Sequence, residues 1–313
     1  MFSLTMRMFF ILGALFGLVY LVIALVGQQS VIVNLVIAGI ILLIQYLISP
    51  YIIQWTMRVR YVSEEEEPEL HRMVEELAQE ARIPKPKVGI SDLPIANAFA
   101  FGRSVRDGRV VVTEAIRRML TKDELRAVLG HEISHIRHRD MVITTIVSVI
   151  PMIIYYIAIS IMYFGGNSRE NNGGFIIGLF LMFLYFVANL LVLAISRVRE
   201  YMADYGSVEL GNRPQDLASA LYKLVYASAT IPEEAKEEIA GAKAFFLNDP
   251  NVAEEEIHQL AQLDVNKNLK IDYEELERLK RAKIKVSLGE RLMELFTTHP
   301  NMLKRIKKLS EYV

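Results

Sequence analysis

The sequence predicts a mainly α-helical membrane protein, with four transmembrane helices carrying a water-facing α+β domain that holds a small sheet. Three observations lead there. Hydrophobic residues make up 52% of the 313 positions while charged residues still reach 23%, a mixture richer in apolar side chains than soluble domains usually are. Four apolar runs, 9–26, 31–48, 141–164 and 175–196, approach the roughly 20 helical residues needed to cross a hydrocarbon core. The remaining hydrophilic chain gathers in two blocks, 51–140 and 197–313.

Each element follows in order. The first run has the length of a cleavable leader, but it lacks a small-x-small cleavage site. After Gly27, Gln28, Gln29 and Ser30 the second run begins, so the pair reads as a retained hairpin, 1–50. The third and fourth runs are joined by a Gly/Asn-rich stretch, 165–174, whose only charges are Arg169 and Glu170, giving a second hairpin, 141–196. Arg7, Arg58, Arg60, Arg137, Arg139, Arg197 and Arg199 flank one side of the runs, and that side is expected to be cytoplasmic. The blocks 51–140 and 197–313 then join as one cytoplasmic domain of a multi-pass plasma-membrane protein.

Within that domain, Ser63 with Glu66 reads as a capping box opening a helix that carries Leu70, Met73, Val74, Leu77 and Ala81 at helical spacing. Short apolar segments at 87–91, 97–102 and 109–113, separated by Pro, Asp and Gly, predict the small sheet. Thr121 with Glu124 forms a second capping box, predicted to start one helix that runs unbroken from Lys122 through the third apolar run. Further helices are expected after Pro214, from Glu233, from Ala253 and from Leu288.

Composition excludes several functions. The formal net charge is −1 and no basic stripe with interleaved aromatics is present, so nucleic acid is not an expected partner. The absence of cysteine removes disulfides, thiolate metal sites and cysteine nucleophiles. Any metal has to be held by histidine and carboxylate.

The chemistry concentrates at His131-Glu132-Ile133-Ser134-His135, because two histidines four apart on a helix project from one face and can ligate the same ion. Glu132 between them is placed to move a proton as general base. Glu200 supplies a third ligand, completing a His, His, Glu set that leaves one position open. Asp204, one turn on, and Asp140 are candidates to accept the outer N–H of a ligating histidine. At 1.5 Å per residue the histidines lie about 9 to 15 Å before the third run and Glu200 about 6 Å past the fourth, so a tight hairpin brings all three to one height. The expectation is a zincin-like integral-membrane zinc metalloendopeptidase. A metzincin motif would need Gly at 138 and His at 141, where this chain has His138 and Met141.

These residues resemble the HtpX family of membrane metallopeptidases, relatives of the CAAX prenyl endopeptidases. The likeness runs through the paired N-terminal runs, Pro94-Ile95-Ala96-Asn97-Ala98-Phe99-Ala100, Gly130 to Asp140, two further runs, Ser196 to Asp204, and Thr298-His299-Pro300. It implies zinc bound by His131, His135 and Glu200, Glu132 as base, and degradation of damaged or misfolded membrane proteins in stress-related quality control.

Other segments carry expectations of their own. Asn97, Ala98, Phe99 and Ala100 would form an edge strand that captures an extended substrate by strand addition. His299 would donate to a developing oxyanion or cover the metal at rest. Between 264 and 275, Asp264, Asn266, Asn268, Asp272 and Glu275 occupy EF-hand oxygen positions and make calcium a second candidate ion. Leu269 stands where that loop needs glycine, which favours a degenerate helix-loop-helix insertion instead. Polypeptides and the lipid bilayer are the expected partners. The competing functions are CAAX-type prenyl-protein processing and a catalytically silent membrane scaffold. A transporter is disfavoured, since the four runs carry almost no charge.

Overall fold

The computed structural model describes residues 31–164, 173–230, 256–257, 260–282 and 288–313. The first apolar run and the helix expected from Glu233 lie outside them, as do most of the loop between the third and fourth runs and the start of the helix expected from Ala253. Helix α1 (Val31–Thr56) contains the second run and continues past it. Its Val36, Ile40, Leu43 and Leu47 point away from the protein at helical spacing. Among the described residues, two helices are long and apolar enough to cross a membrane, Asp140–Met162 and Gly173–Glu209.

The hydrophilic part is built on a four-stranded sheet of order β1-β2-β4-β3. Strand β1 (Val59–Tyr61) pairs antiparallel with β2 (Lys87–Ser91), which runs parallel to β4 (Arg109–Thr113). Strand β3 (Ala98–Phe101) closes one edge, antiparallel to β4. The valine run of β4 follows the two-residue period of a pleated strand. Val110 and Val112 join the main core with Val88 and Ile90, while Val111 turns to a smaller cluster with Met57, Val59, Phe99 and Phe101. Both faces of the sheet are therefore covered.

The main core is closed by helices. Helix α2 (Pro68–Glu80) contributes Leu70, Val74 and Leu77, with Met73 partly buried beside them. The Ser63–Glu66 box forms, with reciprocal bonds of 3.3 and 2.9 Å, but it closes a turn before α2 rather than capping the helix. Pro68 explains the displacement: its ring suits the first helical position and pushes Glu67 out of the helical region, to φ −135°. After the short α3 (Glu114–Met119), the Thr121–Glu124 box does cap α4 (Lys122–Arg137).

The single helix predicted from Lys122 onward is broken. Helix α4 ends at Arg137, Arg139 takes the left-handed conformation at φ 59°, and α5 (Asp140–Phe164) begins anew. A non-glycine residue there costs roughly 1–2 kcal/mol, so the turn persists only because its neighbours hold it. Helix α6 (Gly173–Glu209) packs along α5 and leads into α7 (Pro214–Ala229). Helices α8 (Tyr273–Arg281), α9 (Leu288–Glu294) and α10 (Met302–Leu309) complete the described chain, α10 burying Met302, Ile306 and Leu309.

Candidate metal centre

Two glycines let α4 and α6 come close enough to share a site. A Cβ on Gly206 would lie 1.9 Å from Ser134 Oγ, and one on Gly130 would lie 2.3 Å from Asn212 Nδ2. Polar bonds fix the contact: Ser207 Oγ donates to Ala127 O at 2.6 Å, Asn212 Nδ2 to Ser207 Oγ at 3.1 Å, and Arg126 to Asn212 Oδ1 at 2.5 Å. The ridge of α4 bearing His131 and His135 is thereby pressed against the stretch of α6 bearing Glu200 and Asp204.

His131, His135 and Glu200 each point one ligand atom at a common place, all within 4.8 Å of one another. The two Nε2 atoms are 3.1 Å apart, and the Glu200 oxygens lie 3.5 and 3.7 Å from His135 and His131 Nε2. Outward, His131 Nδ1 is 2.9 Å from Asp204 Oδ1, and His135 Nδ1 is 2.6 Å from Asp140 Oδ2. Carboxylates on both Nδ1 atoms place the ring protons there and turn bare lone pairs toward each other at Nε2. In that tautomer the two Nε2 acceptors are free to take a cation.

Two arginines that carry no local motif complete it. Arg305, wholly buried on α10, grips Asp204 with Nε at 2.9 Å and Nη2 at 2.6 Å, and its Nη1 stands 3.0 Å from Glu200 Oε2. Arg199 pairs with Asp140 and donates to His138 O at 3.2 Å, securing the helix break. The available sequence signal for Arg305 was its position on the apolar face formed by Met302, Ile306 and Leu309. His138 turns to Ser134 Oγ at 3.1 Å and stays out of the cluster. His299 joins it, with Nδ1 3.4 Å from Glu200 Oε2.

Electrostatics follow from burial and neighbours. Burial pushes the Glu132 carboxyl up, against the pull of His131 and His135, and Ala100 N–H donates to it. Burial would also raise Glu200, but His299 and Arg305 outweigh it and hold the carboxyl well below its ordinary range. Asp204 is likewise held low, Arg305 and His131 overcoming its desolvation. Both stand on the polar end of α6, beyond Ser196 where its apolar part stops.

Strand β3 lies at the sheet edge beside α4, with Ala98, Phe99 and Ala100 in it; Asn97 sits just before it, its N–H donating to Thr113 Oγ1 at 2.9 Å. The 264–275 loop bonds to α7, where Ile271 N–H donates to Ser219 Oγ at 2.8 Å. Leu269 adopts φ 58°, the left-handed turn that glycine would make without strain. The two Asp264 oxygens accept from Asn268 and Leu269 N–H, Asp272 Oδ2 accepts from the Asn266 and Asn268 amides, and Glu275 accepts from Val265 and Asp272 N–H.

The chain is similar to known proteins. Residues 64–313 match the model of peptidase family M48. A protease HtpX homolog from Methanothermobacter thermautotrophicus is 51% identical over 228 residues, covering 71% of this chain and 86% of that protein. One from Moorella thermoacetica is 33% identical over 315 residues, covering 98% and 93%. The crystal structure of Ste24p from S. mikatae has the same fold at a TM-score of 0.58 and 19% identity; the likeness covers 96% of this chain but only 63% of that one. The chain is a metalloprotease, and it belongs to peptidase family M48.

Proposed function

We propose that the protein is a membrane-integrated zinc metalloendopeptidase that cuts misfolded or damaged membrane proteins during stress. The observation that carries this reading is the convergence of two imidazoles and one carboxylate beside a buried Glu132 whose carboxyl burial pushes up. His131, His135 and Glu200 would hold the ion. Tetrahedral zinc with bonds of about 2.0–2.1 Å sets its ligand atoms about 3.3 Å apart, close to the 3.1, 3.5 and 3.7 Å found here. When bound, zinc would acidify water and polarise the scissile carbonyl.

The chain's own groups do the rest. Glu132 takes the proton of the attacking water and returns it to the leaving nitrogen, a task suited to a carboxylate whose affinity for protons burial has raised. Asp204 and Asp140 keep the Nδ1 protons in place and so aim both Nε2 atoms. Strand β3 would hold the substrate extended by pairing with it, presenting it to Glu132 through the shared Ala100. His299, beside the third ligand, would donate to the oxyanion. We assign the 264–275 loop a structural part, because its acids are engaged within the loop; calcium is the competing reading. The arrangement in the cell would be four spans in a plasma membrane, with 51–140 and 197–313 forming one domain on the cytoplasmic side.

The test is cleavage of casein by the detergent-purified chain, stripped of metal and then given zinc, beside Glu132→Gln. Zinc should restore cutting to the parent, while Glu132→Gln binds zinc equally well and loses about 10²–10⁴-fold in kcat. Equal cutting by both proteins would remove Glu132 from the mechanism.

A further inference from the structure

The stretch from α9 to Thr297 meets the apolar part of α6 at Phe186 and is followed at once by His299, which stands beside Glu200. Leu292, Met293, Leu295 and Phe296 are each between 41% and 61% exposed. Large apolar side chains gathered in this way rarely face water without a purpose. The Phe296 ring stands 6.3 Å from that of Phe186. Phe186 lies on the apolar part of α6, about 15 Å along the helix from Ser196 at 1.5 Å per residue. That is about half of a hydrocarbon core roughly 30 Å thick. Phe183 and Phe186 are themselves exposed, so whatever bathes that face of α6 also bathes Phe296.

Several of the described polar groups of the stretch find partners within the protein. Arg197 Nη1 donates to Leu295 O at 3.3 Å and Thr297 O at 2.9 Å. Those carbonyls belong to a turn outside α9, where hydrocarbon would leave them without a partner. Glu294 pairs with Lys304 and accepts Asn301 N–H at 3.3 Å, on the side of the domain. The carbonyls of Leu292, Met293, Glu294 and Leu295 accept bonds within the protein, which makes this apolar rim fit for lipid.

We infer that residues 292–296 dip into the bilayer beside α6, with lipid acyl chains as their partner. The inference rests on the membrane reading of α5 and α6. It gives the catalytic domain a lipid contact of its own, three residues from His299 and on the same C-terminal stretch as Arg305. The depth of this tip then sets where the C-terminal lining of the metal centre sits.

The chain has no cysteine, so one introduced cysteine carries one label. Phe296→Cys, Met293→Cys, Phe183→Cys and Val265→Cys, each in the full chain and labelled with bimane, are placed in bilayers with and without brominated acyl chains, and then exposed to iodide. Labels at 296 and 293 should lose most of their fluorescence to brominated lipid and little to iodide, as at 183, while the label at 265 responds only to iodide. Quenching at 296 and 293 by iodide overturns the inference. So does quenching by neither agent, which would mean that protein covers the tip, either residues 1–30 or a second copy. If the label at 183 also escapes the lipid, the membrane reading of α6 fails and takes this inference with it.

Discussion

Two His–Asp–Arg chains flank the candidate metal centre, and they differ in depth. The side chains of His131, Asp204 and Arg305 are 1%, 1% and 0% exposed, whereas those of His135, Asp140 and Arg199 are 17%, 10% and 10% exposed. The chemistry is the same in both: an arginine fixes an aspartate, which fixes an imidazole. Depth changes what happens when a member is lost. A buried charge without its partner cannot borrow water, so the inner chain stands or falls as a unit. The outer chain sits at the α4–α5 break, where solvent can replace part of what a substitution removes. The inner chain also draws on α4, α6 and α10, so it exists only once the C-terminal helix has docked.

The largest effect is expected at Arg305. Arg305→Ala strands Asp204 and Glu200 in the interior and should cost about 3–5 kcal/mol of stability, read by denaturant unfolding in detergent. Arg305→Lys should recover only part of it, because an ammonium cannot grip Asp204 with two parallel bonds. A small loss in Arg305→Ala would show that the inner chain contributes no more than the outer.

Next come the aspartates. Asp204→Asn and Asp140→Asn should each weaken metal binding by about 10–100-fold in a chelator competition, Asp204→Asn toward the upper end. Asp204 also carries a pH signature. Its folded-state pKa lies below the unfolded value of about 3.9, so the stability it contributes is present above that pH and is lost as pH falls through the lower, folded value. Asp204→Asn should therefore flatten the acid limb of the stability curve. The smallest change is expected at Arg199, where Arg199→Ala should cost about 1–2 kcal/mol, between the surface and buried limits.

Legibility from sequence followed distance along the chain. The histidine pair and Glu132 are visible because helical spacing alone puts four-apart residues on one face. The Thr121–Glu124 box and the valine run of β4 are visible for the same local reason. Strand β1 is too short to show a two-residue period, and only its pairing with β2 makes it a strand. The break at Arg139 carries no Gly or Pro signal; it is held by Arg199, which is distant in sequence. Pro68 was a readable signal that moves the start of α2 past the Ser63–Glu66 box.

The sequence by itself determined which residue types are available: two histidines and a carboxylate able to ligate a metal, a carboxylate between the histidines, no thiol, and apolar runs of membrane length. Tertiary structure decided which charges those groups meet. Arg305 reaches Asp204 across 101 positions, because Gly130 and Gly206 let α4 and α6 close and α10 then seals the junction. No local pattern encodes that meeting. It depends on shape complementarity between helices brought together by burial of the common core, and a buried charge is tolerated only where the completed fold supplies its partner.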